Sequence, residues 1–351
     1  MNTERLEQIL FRFPEIRIAV LGDFFLDRYW KIDPDLDESS IETDLTAYQI
    51  VERWHAPGAA GTVTNNLSAL GVGKIFALGF VGNDGEGFEL LRDLEYTGVD
   101  CRYLFETSLR STPCYTKPLR AGIEMNRFDT KNRTPTPIEI EGQIVESIRI
   151  IAPQVDAIMV MDQVSEENCG GVTEAVREEL VALGRQSATP LIYADSRERI
   201  GDFREMIVKC NDREVAETFD LYDGKTPSIE LVETCGINLS KRTGRRVFVT
   251  RGAEGQLVFD ARSKTPIKHV PAFFVEGEID ICGAGDATSS GLVASLCAGA
   301  SPVEAAMIGN LVASVTIRKI GETGTATPEE VLDAWIDQSR TDACHPNDPV
   351  E

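Results

Sequence analysis

Apolar residues along this chain form two kinds of pattern, short continuous runs and longer runs with helical spacing. The continuous runs predict strands with both faces buried, and the spaced runs predict helices with one apolar face. Strands are predicted at residues 16–21, 75–80, 157–161, 191–194, 246–250 and 256–260. Helices are predicted at residues 60–70, 87–95, 138–151, 166–183, 287–300 and 303–320.

The order of these elements predicts the fold class. Strands and helices alternate, which is typical of a doubly wound α/β fold with a mostly parallel sheet and helices on both faces. Runs at 114–119 and 123–128 alternate and are broken by Pro or Gly, so we expect short antiparallel strands there. With the segment at 46–51 they would form a small separate sheet. We expect one domain over residues 1–340 and a disordered tail at 341–351.

Composition and charge narrow the choice of partners. The 35 basic and 57 acidic residues give a net charge of −22, which argues against nucleic acid and anionic membranes as partners. No apolar run approaches the roughly 20 residues that span a bilayer, and residues 1–14 lack a signal-peptide core. The eight cysteines contain no C-x-x-C pair and the three histidines are not spaced as metal ligands. A cytoplasmic location with reduced thiols is the resulting expectation.

The segment Asp280-Ile281-Cys282-Gly283-Ala284-Gly285-Asp286 carries the clearest chemistry. It places a Gly-Ala-Gly turn before a helix of small residues. Backbone N–H groups at a helix N-terminus attract phosphate, and glycines allow close approach. A carboxylate beside them can accept a proton from an attacking hydroxyl. The pattern indicates phosphoryl transfer to an alcohol, although a plain helix start with an acidic first turn is equally consistent with it.

Two further motifs are ambiguous by themselves. Thr250-Arg251-Gly252-Ala253-Glu254-Gly255 ends a strand, and its glycines would let a nucleotide lie across the backbone, but a hairpin turn is the simpler interpretation. Asn211 and Glu214 share a helix face and could hold water around Mg²⁺. The same Asn-x-x-Glu spacing is also a helix capping box, which is the interpretation that we favour from the spacing alone.

A third motif is Gly22-Asp23 at the end of the first predicted strand. Ligands of open parallel sheets bind beyond the carboxyl ends of the strands, so Asp23 and the nearby Asp27 are placed to hold hydroxyl groups. A turn aspartate is the alternative. The order of all these motifs along the chain is more specific than any one of them.

That order resembles the ribokinase-type (PfkB) carbohydrate kinase family over residues 17–331, with Ile281 to Ala287 as the strongest match. Gly22-Asp23-Phe24-Phe25-Leu26-Asp27-Arg28-Tyr29-Trp30 is most similar to the branch of D-glycero-D-manno-heptose 7-phosphate kinases. The segments 57–60, 127–129, 319–321 and 324–327 are also similar to that branch. The resemblance implies a homodimer, ATP and Mg²⁺ as cofactors, and a small-molecule sugar or sugar phosphate as substrate. It also implies a β lid over the site, which we expect from segments near 31–55 and 102–130.

The resemblance also implies roles for individual residues. Asp286 would be the base, kept ionised and therefore weak by the helix N-terminus. The other residues implied are, at the anion hole, Gly283, Ala284 and Gly285; at the sugar, Asp23, Asp27, Gly58, Ala59, Thr62, Arg127 and Asp162; at the nucleotide, Thr250, Gly252, Gly255 and Asn310; and at Mg²⁺, Asn211 and Glu214.

Some positions depart from the family pattern. Gly58-Ala59-Ala60-Gly61-Thr62 stands where the family has Gly-Gly-x-x-Asn, and Met161 to Glu166 lacks the lysine of the heptose branch. A kinase for another sugar or a nucleoside therefore stays open as an alternative, as does a non-catalytic sugar-binding regulator. A dinucleotide-binding oxidoreductase is disfavoured, because no Gly-x-Gly-x-x-Gly motif follows the first predicted strand.

Basic residues of the predicted hairpin bear on the substrate. A phosphorylated sugar would need local cations in a chain of this charge. The hairpin concentrates five of them, among which arginine favours paired hydrogen bonds to phosphate: Lys117, Arg120, Arg127, Lys131 and Arg133. We expect Arg120 and Arg127 to be the best placed, with a solvated hairpin face as the alternative.

Overall fold

The computed structural model of the protein describes residues 1–186, 190–321 and 323–344. Its helices are α1 (Thr3–Leu10), α2 (Ala60–Ala69), α3 (Gly85–Tyr96), α4 (Ile138–Ile151), α5 (Glu174–Gly184), α6 (Asp212–Glu217), α7 (Ile229–Thr243), α8 (Ala284–Cys297), α9 (Pro302–Thr316) and α10 (Pro328–Cys344). The strands up to residue 107 are β1 (Arg17–Gly22), β2 (Phe24–Ile32), β3 (Glu38–Ser39), β4 (Thr46–Ala47), β5 (Ile50–Ala59), β6 (Lys74–Gly82) and β7 (Asp100–Thr107). The later strands are β8 (Cys114–Arg120), β9 (Ile123–Glu124), β10 (Phe128–Thr130), β11 (Ala157–Asp162), β12 (Leu191–Ser196), β13 (Ile207–Asn211), β14 (Val247–Thr250), β15 (Gln256–Phe259) and β16 (Ile267–Val270).

A nine-stranded sheet forms the centre of the molecule, in the order β16-β15-β14-β13-β12-β11-β1-β6-β7. Within this sheet β7, β6, β1, β11, β12, β13 and β14 are parallel to one another. Strands β15 and β16 add an antiparallel edge. Apolar side chains fill a core on each face of this sheet, one against α2, α8 and α9 and the other against α4, α5 and α7. The continuous apolar runs are thus explained by strands that are covered on both sides.

Parallel strands bring their carboxyl ends to one edge of the sheet. Asp162 ends β11, Ser196 ends β12, Asn211 ends β13 and Thr250 ends β14. This edge therefore collects the polar residues that follow each strand, as expected for a doubly wound fold.

A smaller sheet in the order β10-β8-β2-β5 lies beside this edge. β2 pairs antiparallel with β5 and parallel with β8. Register puts Asp27 beside Ala56 and Tyr115, and Tyr115 beside Asp129, so these side chains share one face. On the other face Arg28 forms ion pairs of 2.7 and 2.6 Å with Glu86 and Glu89 of α3, which fixes the sheet to the main body.

The small sheet differs from the expectation at two places. Residues 102–107 were expected to belong to the small sheet, but they lie in β7 at the edge of the large sheet. Apolar and polar residues alternate there because one face of β7 is more exposed than the other. The nine residues of β2 belong to the small sheet and were not predicted as a strand. The buried apolar residues at the start of β2 follow those of β1 almost directly. The sequence therefore does not show that the chain passes from one sheet to the other at Asp23.

Several helix boundaries also differ. Residues 166–173 were expected to be helical but form turns, and α5 begins after Thr173, whose hydroxyl accepts from the N–H of Val176. α8 begins at Ala284 instead of residue 287. α10 extends to Cys344, so the first residues of the expected tail are helical, and residues 345–351 lie outside the described part of the chain. Among the described residues, no helix is long and apolar enough to span a membrane.

Candidate active site

The Gly-Ala-Gly turn forms the N-terminus of α8 at the carboxyl edge of the large sheet. Gly283 is its N-cap with φ of +74°, a conformation that favours glycine. A Cβ at Gly283 would also lie 2.5 Å from the methyl carbon of Thr323 and 3.6 Å from that of Thr62. The amide of Ala284 donates to the carbonyl of Ile281 at 3.1 Å. The expected anion hole is therefore left with the amides of Gly283 and Gly285, because Ala284 holds the turn together.

Asp286 lies in the first turn of α8, as predicted, but its electrostatics differ from the expectation. Burial and the nearby carboxylate of Asp195 raise the pKa of Asp286 to about 7, and the cations Lys209 and Arg197 only partly oppose this. The expected ionised, weakly basic carboxylate is thus wrong, because desolvation outweighs the helix N-terminus. A carboxylate with this pKa is a better proton acceptor near neutral pH.

A buried ion pair beneath the turn was not predicted. Lys209 of β13 contacts Asp195 of β12 at 2.6 Å, and both side chains are more than nine-tenths buried. A Cβ at Gly285 would lie only 3.1 Å from the Lys209 ammonium, so this cation packs against the turn. The sequence gives only a weak signal for this pair, since lysine is almost never fully buried unless it is paired. Both members of the pair act on Asp286 and on Glu214, since Asp195 raises and Lys209 lowers the pKa of each.

The predicted metal residues form a helix cap. The amide of Glu214 donates to Asn211 Oδ1 at 2.8 Å, and the amide of Asn211 donates to Glu214 Oε2 at 2.8 Å. This is the capping box that the spacing favoured. Burial and the charge of Asp195 nevertheless raise the pKa of Glu214 to about 7. A cation beside this carboxylate would offset both effects.

The donor set at α6 is compatible with Mg²⁺. This ion is usually held by one or two carboxylates together with substrate phosphates and water, so a complete protein cage is not required. Among the described residues no cluster of three or more metal-ligating side chains is found. Glu214 has a second carboxylate oxygen that the cap does not use, and the charges of Asp195 and Lys209 both act on the pKa of this carboxyl group.

Asp27 lies on the face of the small sheet that covers the turn. Its Oδ1 is 3.4 Å from Lys117 Nζ, and a Cβ at Gly58 would lie 2.9 Å from its Oδ2. Gly58 therefore leaves room for this carboxylate. Burial raises the pKa of Asp27 and Lys117 opposes it, while the charge of Asp27 in turn raises the pKa of Asp286. The small sheet thus brings a second carboxylate toward Asp286.

Asp23 and Asp162 occupy structural positions at the strand ends. Asp23 accepts backbone N–H bonds from Gln163, Val164 and Gly171 at 2.7–2.9 Å, although burial and Asp162 raise its pKa to about 6. Asp162 is buried and accepts from Ser196 and Arg199. The hydrogen bonds of both carboxylates join loops to the strand ends, and Asp23 also lines a pocket, so contact of these residues with a sugar stays a prediction.

Ala59 and Thr62 flank the start of α2. Ala59 has φ of +53° and ψ of −118°, a strained conformation for a residue with a Cβ. The Thr62 hydroxyl donates to the carbonyl of Pro57 at 3.3 Å, and its methyl faces Gly283. The strained Ala59 directs the first turn of α2 toward the Gly283 turn.

The predicted nucleotide residues lie at the end of β14, in the turn after it and in α9. Gly252 has φ of +55°, and a Cβ there would meet no atom within 4 Å, so the backbone surface is open. Gly255 is required for a different reason, since a Cβ would lie 2.2 Å from the carbonyl of Val270. Asn310 is buried and donates to Val270 and Pro271. The Thr250 hydroxyl donates to the carbonyl of Cys210 at 3.4 Å. Of these four residues, Gly252 is the exposed one, and their contact with a nucleotide stays a prediction.

Most of the predicted hairpin cations are paired with carboxylates. Lys117 pairs with Asp27, Arg127 with Asp129, Arg120 with Asp37 and Arg133 with Glu166. Alternation also puts Arg120 on the face opposite Tyr115, because it follows Tyr115 by an odd number of residues. Arg120 is therefore not the well-placed residue that was expected.

Arg197 is a further site residue that the sequence analysis missed. It directly follows β12, and its amide donates to the carbonyl of Asp162 at 3.1 Å. Its charge lowers the pKa values of Asp286, Glu214 and Tyr115, so its guanidinium group is close enough to act on all three side chains. The sequence did offer a signal for Arg197, because a cation just after the carboxyl end of a predicted strand lies at the edge of the sheet where ligands bind.

Comparison with known proteins places this geometry in context. A sequence model described as "pfkB family carbohydrate kinase" matches residues 24–330. The "Bifunctional protein HldE" of Geotalea uraniireducens is 29% identical over 339 residues, covering 95% of this chain and 65% of that protein. That of Pelobacter propionicus is 28% identical over 338 residues, covering 95% and 66%. The chain thus spans just under two thirds of the length of these relatives.

Solved structures share the fold at lower identity. Arabidopsis thaliana ribokinase complexed with ribose and ATP has a TM-score of 0.67 at 15% identity, covering 91% of this chain and 98% of that chain. Escherichia coli phosphofructokinase-2 in complex with fructose-6-phosphate has a TM-score of 0.69 at 16% identity, covering 93% and 100%. These similarities establish the doubly wound fold with its small accessory sheet.

Proposed function

Because this chain belongs to the pfkB family of carbohydrate kinases, we propose that it transfers the γ-phosphoryl group of ATP to a hydroxyl of a phosphorylated sugar, with a heptose 7-phosphate as the first candidate. The chain is a phosphotransferase with a sugar hydroxyl as acceptor. The observation that carries the proposal is the position of Asp286. Its carboxylate lies in the first turn of α8 beside the Gly283 turn, with a pKa of about 7.

The residues divide the work of the reaction between them. Asp286 accepts the proton of the attacking hydroxyl, and the amides of Gly283 and Gly285 face the charge that develops on the phosphoryl oxygens. Lys209 fixes a positive charge beneath the turn, and Asp27 approaches from the small sheet to orient the sugar. Asn211 and Glu214 are the residues that would hold Mg²⁺, which supplies charge neutralisation on the phosphates when bound. The small sheet acts as a lid that excludes water.

The phosphorylated sugar is supported by two considerations. The motifs of residues 22–30 and 319–327 resemble the heptose 7-phosphate kinase branch, and the relatives named HldE cover the same region of this chain. One structure with the same fold holds fructose-6-phosphate. The departures at Thr62 and at residues 161–166 leave another sugar phosphate as the nearest alternative.

A substrate panel tests the proposed function. The purified protein with ATP and Mg²⁺ is assayed against heptose 7-phosphate, sedoheptulose 7-phosphate, fructose 6-phosphate, their unphosphorylated counterparts, and adenosine. We expect ADP release that depends on a phosphorylated sugar. Preference for adenosine would indicate the nucleoside kinase alternative. Sugar binding without turnover, measured by calorimetry, would indicate the non-catalytic regulator.

The proposal includes a homodimer joined through the small sheet. Its strand β5 is an edge strand, and such an edge is open to pairing. Exposed apolar side chains lie in β5 and in the segment before it, and a concentration of them marks interaction sites: Leu36, Ile41, Leu45, Tyr48, Ile50 and Val51. A cytoplasmic location is also proposed, supported by the free thiols of the described cysteines.

A further inference from the structure

A second cleft lies at the edge of the large sheet opposite the candidate active site. Its volume is about 730 Å³, within the roughly 300–1,000 Å³ of pockets that hold small organic molecules. Leu191, Ile192 and Ile207, at the starts of β12 and β13, line it. Parallel strands start at one edge of a sheet and end at the other. The six residues of β12 therefore separate this cleft from Ser196 by roughly 17 Å, at about 3.3 Å per residue.

Arginines from three separate segments of the chain line this cleft. They lie after α5, between α7 and β14, and after β15: Arg185, Arg245, Arg246 and Arg262. The carboxylates of Glu205 and Asp260 line it as well. Among the described residues, the cations of the lining therefore outnumber its carboxylates two to one, in a chain whose net charge is −22. A local excess of positive charge attracts small anions to the cleft.

Two of these arginines are held by carboxylates of the lining. Arg245 lies 3.5 Å from Glu205, and it also donates to the carbonyl of Gly184 at 2.7 Å. Arg246 lies 3.0 Å from Asp260. These contacts fix both guanidinium groups in position and use the two carboxylates that line the cleft.

The other two arginines are unpaired. Arg185 and Arg262 form no ion pair within the part of the chain that the structure describes, and both are exposed. Residues 244–245 contact the chain beside each of them. Arg245 bonds the carbonyl of the residue before Arg185, and a Cβ at Gly244 would lie 3.7 Å from Arg262 Nη2. The two unpaired arginines thus border the same part of the cleft.

From this arrangement we infer that the cleft is a second binding site, which takes a small organic molecule that carries a phosphate group. Arg185 and Arg262 bind the phosphate, because the planar guanidinium group forms paired hydrogen bonds with it and neither residue has to give up a carboxylate. The organic part contacts Leu191 and Ile207, which are partly exposed in the cleft. None of these residues belongs to the candidate active site, so both sites can be occupied at once.

Phenyl phosphate is a suitable probe, because it joins one phosphate to one apolar ring. Saturation-transfer NMR detects its ring protons at the protein, and titration gives its dissociation constant for the wild-type protein and for the Arg185→Met/Arg262→Met double variant. We expect the double variant to bind phenyl phosphate tenfold or more weakly, as for the loss of charged hydrogen bonds. Arg185→Lys/Arg262→Lys, which keeps both charges, should recover part of this affinity. Phenol, which lacks the phosphate, should bind weakly to all these proteins.

Arg204→Met is the matched control. It removes a positive charge directly beside Glu205 in the chain, at a residue that does not line the cleft. This variant should bind phenyl phosphate like the wild-type protein, and equal melting temperatures should show that all variants are folded. Equal affinity of the wild-type protein and the Arg185→Met/Arg262→Met variant would overturn the inference. Equal weakening by Arg204→Met would overturn it as a general charge effect, and phenol that binds as tightly as phenyl phosphate would overturn the role of the phosphate.

Discussion

At the scale of single residues, the environment of Asp286 determines how the site works. Burial and Asp195 hold its pKa near 7, while Lys209 prevents a larger rise. A helix N-terminus alone would give a carboxylate that is ionised and weakly basic. Asp195 and Lys209 come from β12 and β13, far earlier in the chain than Asp286, so the sequence around residue 286 could not reveal them.

The raised pKa of Asp286 predicts the pH dependence of the reaction. The carboxylate must be deprotonated to accept a proton, and its pKa of about 7 means that the protonated form dominates below neutrality. We expect kcat/KM to rise with pH through about 7 and to fall roughly tenfold for each pH unit below it. Steady-state kinetics from pH 5.5 to 8.5 at constant ionic strength measures this profile. A flat profile down to about pH 5 would mean an ordinary carboxylate pKa.

Ala59 gives a prediction about stability. Its φ of +53° strains a residue with a Cβ, and such strain amounts to about 1–3 kcal/mol. Glycine relieves the strain, but it also adds about 0.4–1 kcal/mol of unfolded-state entropy. We expect Ala59→Gly to increase the free energy of unfolding by about 1 kcal/mol. Urea unfolding of the two proteins decides the matter, with Ala60→Gly within α2 as the destabilising control.

At the scale of secondary structure, the cap of α6 combines two functions. Glu214 accepts the amide of Asn211 through one oxygen and leaves the other outside the cap, in a carboxyl group whose pKa responds to Asp195 and Lys209. The sequence presented capping and metal binding as alternatives. The structure contains the cap and leaves room for both roles, because a carboxylate has two oxygens.

Substitution of Glu214 separates these roles. Glutamine keeps the oxygen that accepts the Asn211 amide but removes the charge, so Glu214→Gln should preserve the melting temperature and raise the Mg²⁺ concentration for half-maximal activity severalfold. Glu214→Ala should also lose the cap and about 1 kcal/mol of stability. Mg²⁺ titration of activity with parallel melting curves compares the three proteins. An unchanged Mg²⁺ requirement in Glu214→Gln would leave capping as the only role.

Element prediction succeeded where one pattern extends over a whole element. Six strands of the large sheet show continuous apolar runs and were predicted, namely β1, β6, β11, β12, β14 and β15, whereas the short β13 and β16 were not. Helices α2, α3 and α4 show clear helical spacing followed by Gly or Pro. It failed for β2 and β7, because alternation shows which face of a strand is buried but not which sheet it joins. Pairing between residues as distant as Asp27 and Tyr115 depends on the complete fold.

At the scale of the whole molecule, the small sheet serves two purposes. One of its faces carries Asp27 and Tyr115 toward the site, and its edge strand β5 is exposed. We predict that two copies of the chain pair through this edge. Charge along the unpaired edge should prevent association, so Ile50→Glu with Val51→Lys is expected to give monomers.

Sedimentation velocity over a hundredfold range of concentration tests the dimer. The wild-type protein should sediment as a dimer and the double variant as a monomer with a comparable melting temperature. Phe11→Glu, at an exposed apolar residue outside the small sheet, is the control and should remain dimeric. A wild-type monomer at all concentrations would contradict the proposed assembly.

The most direct test of the central claim is transfer of labelled γ-phosphate from ATP to a sugar phosphate by wild-type protein and Asp286→Asn. The account predicts a labelled sugar product with wild-type protein, and a kcat lowered by about 10²–10⁴ in the variant with ATP binding nearly intact. Asparagine keeps the size of the side chain and cannot act as the base. Near-normal turnover by Asp286→Asn would contradict the assignment of Asp286 as the proton acceptor on which this account depends.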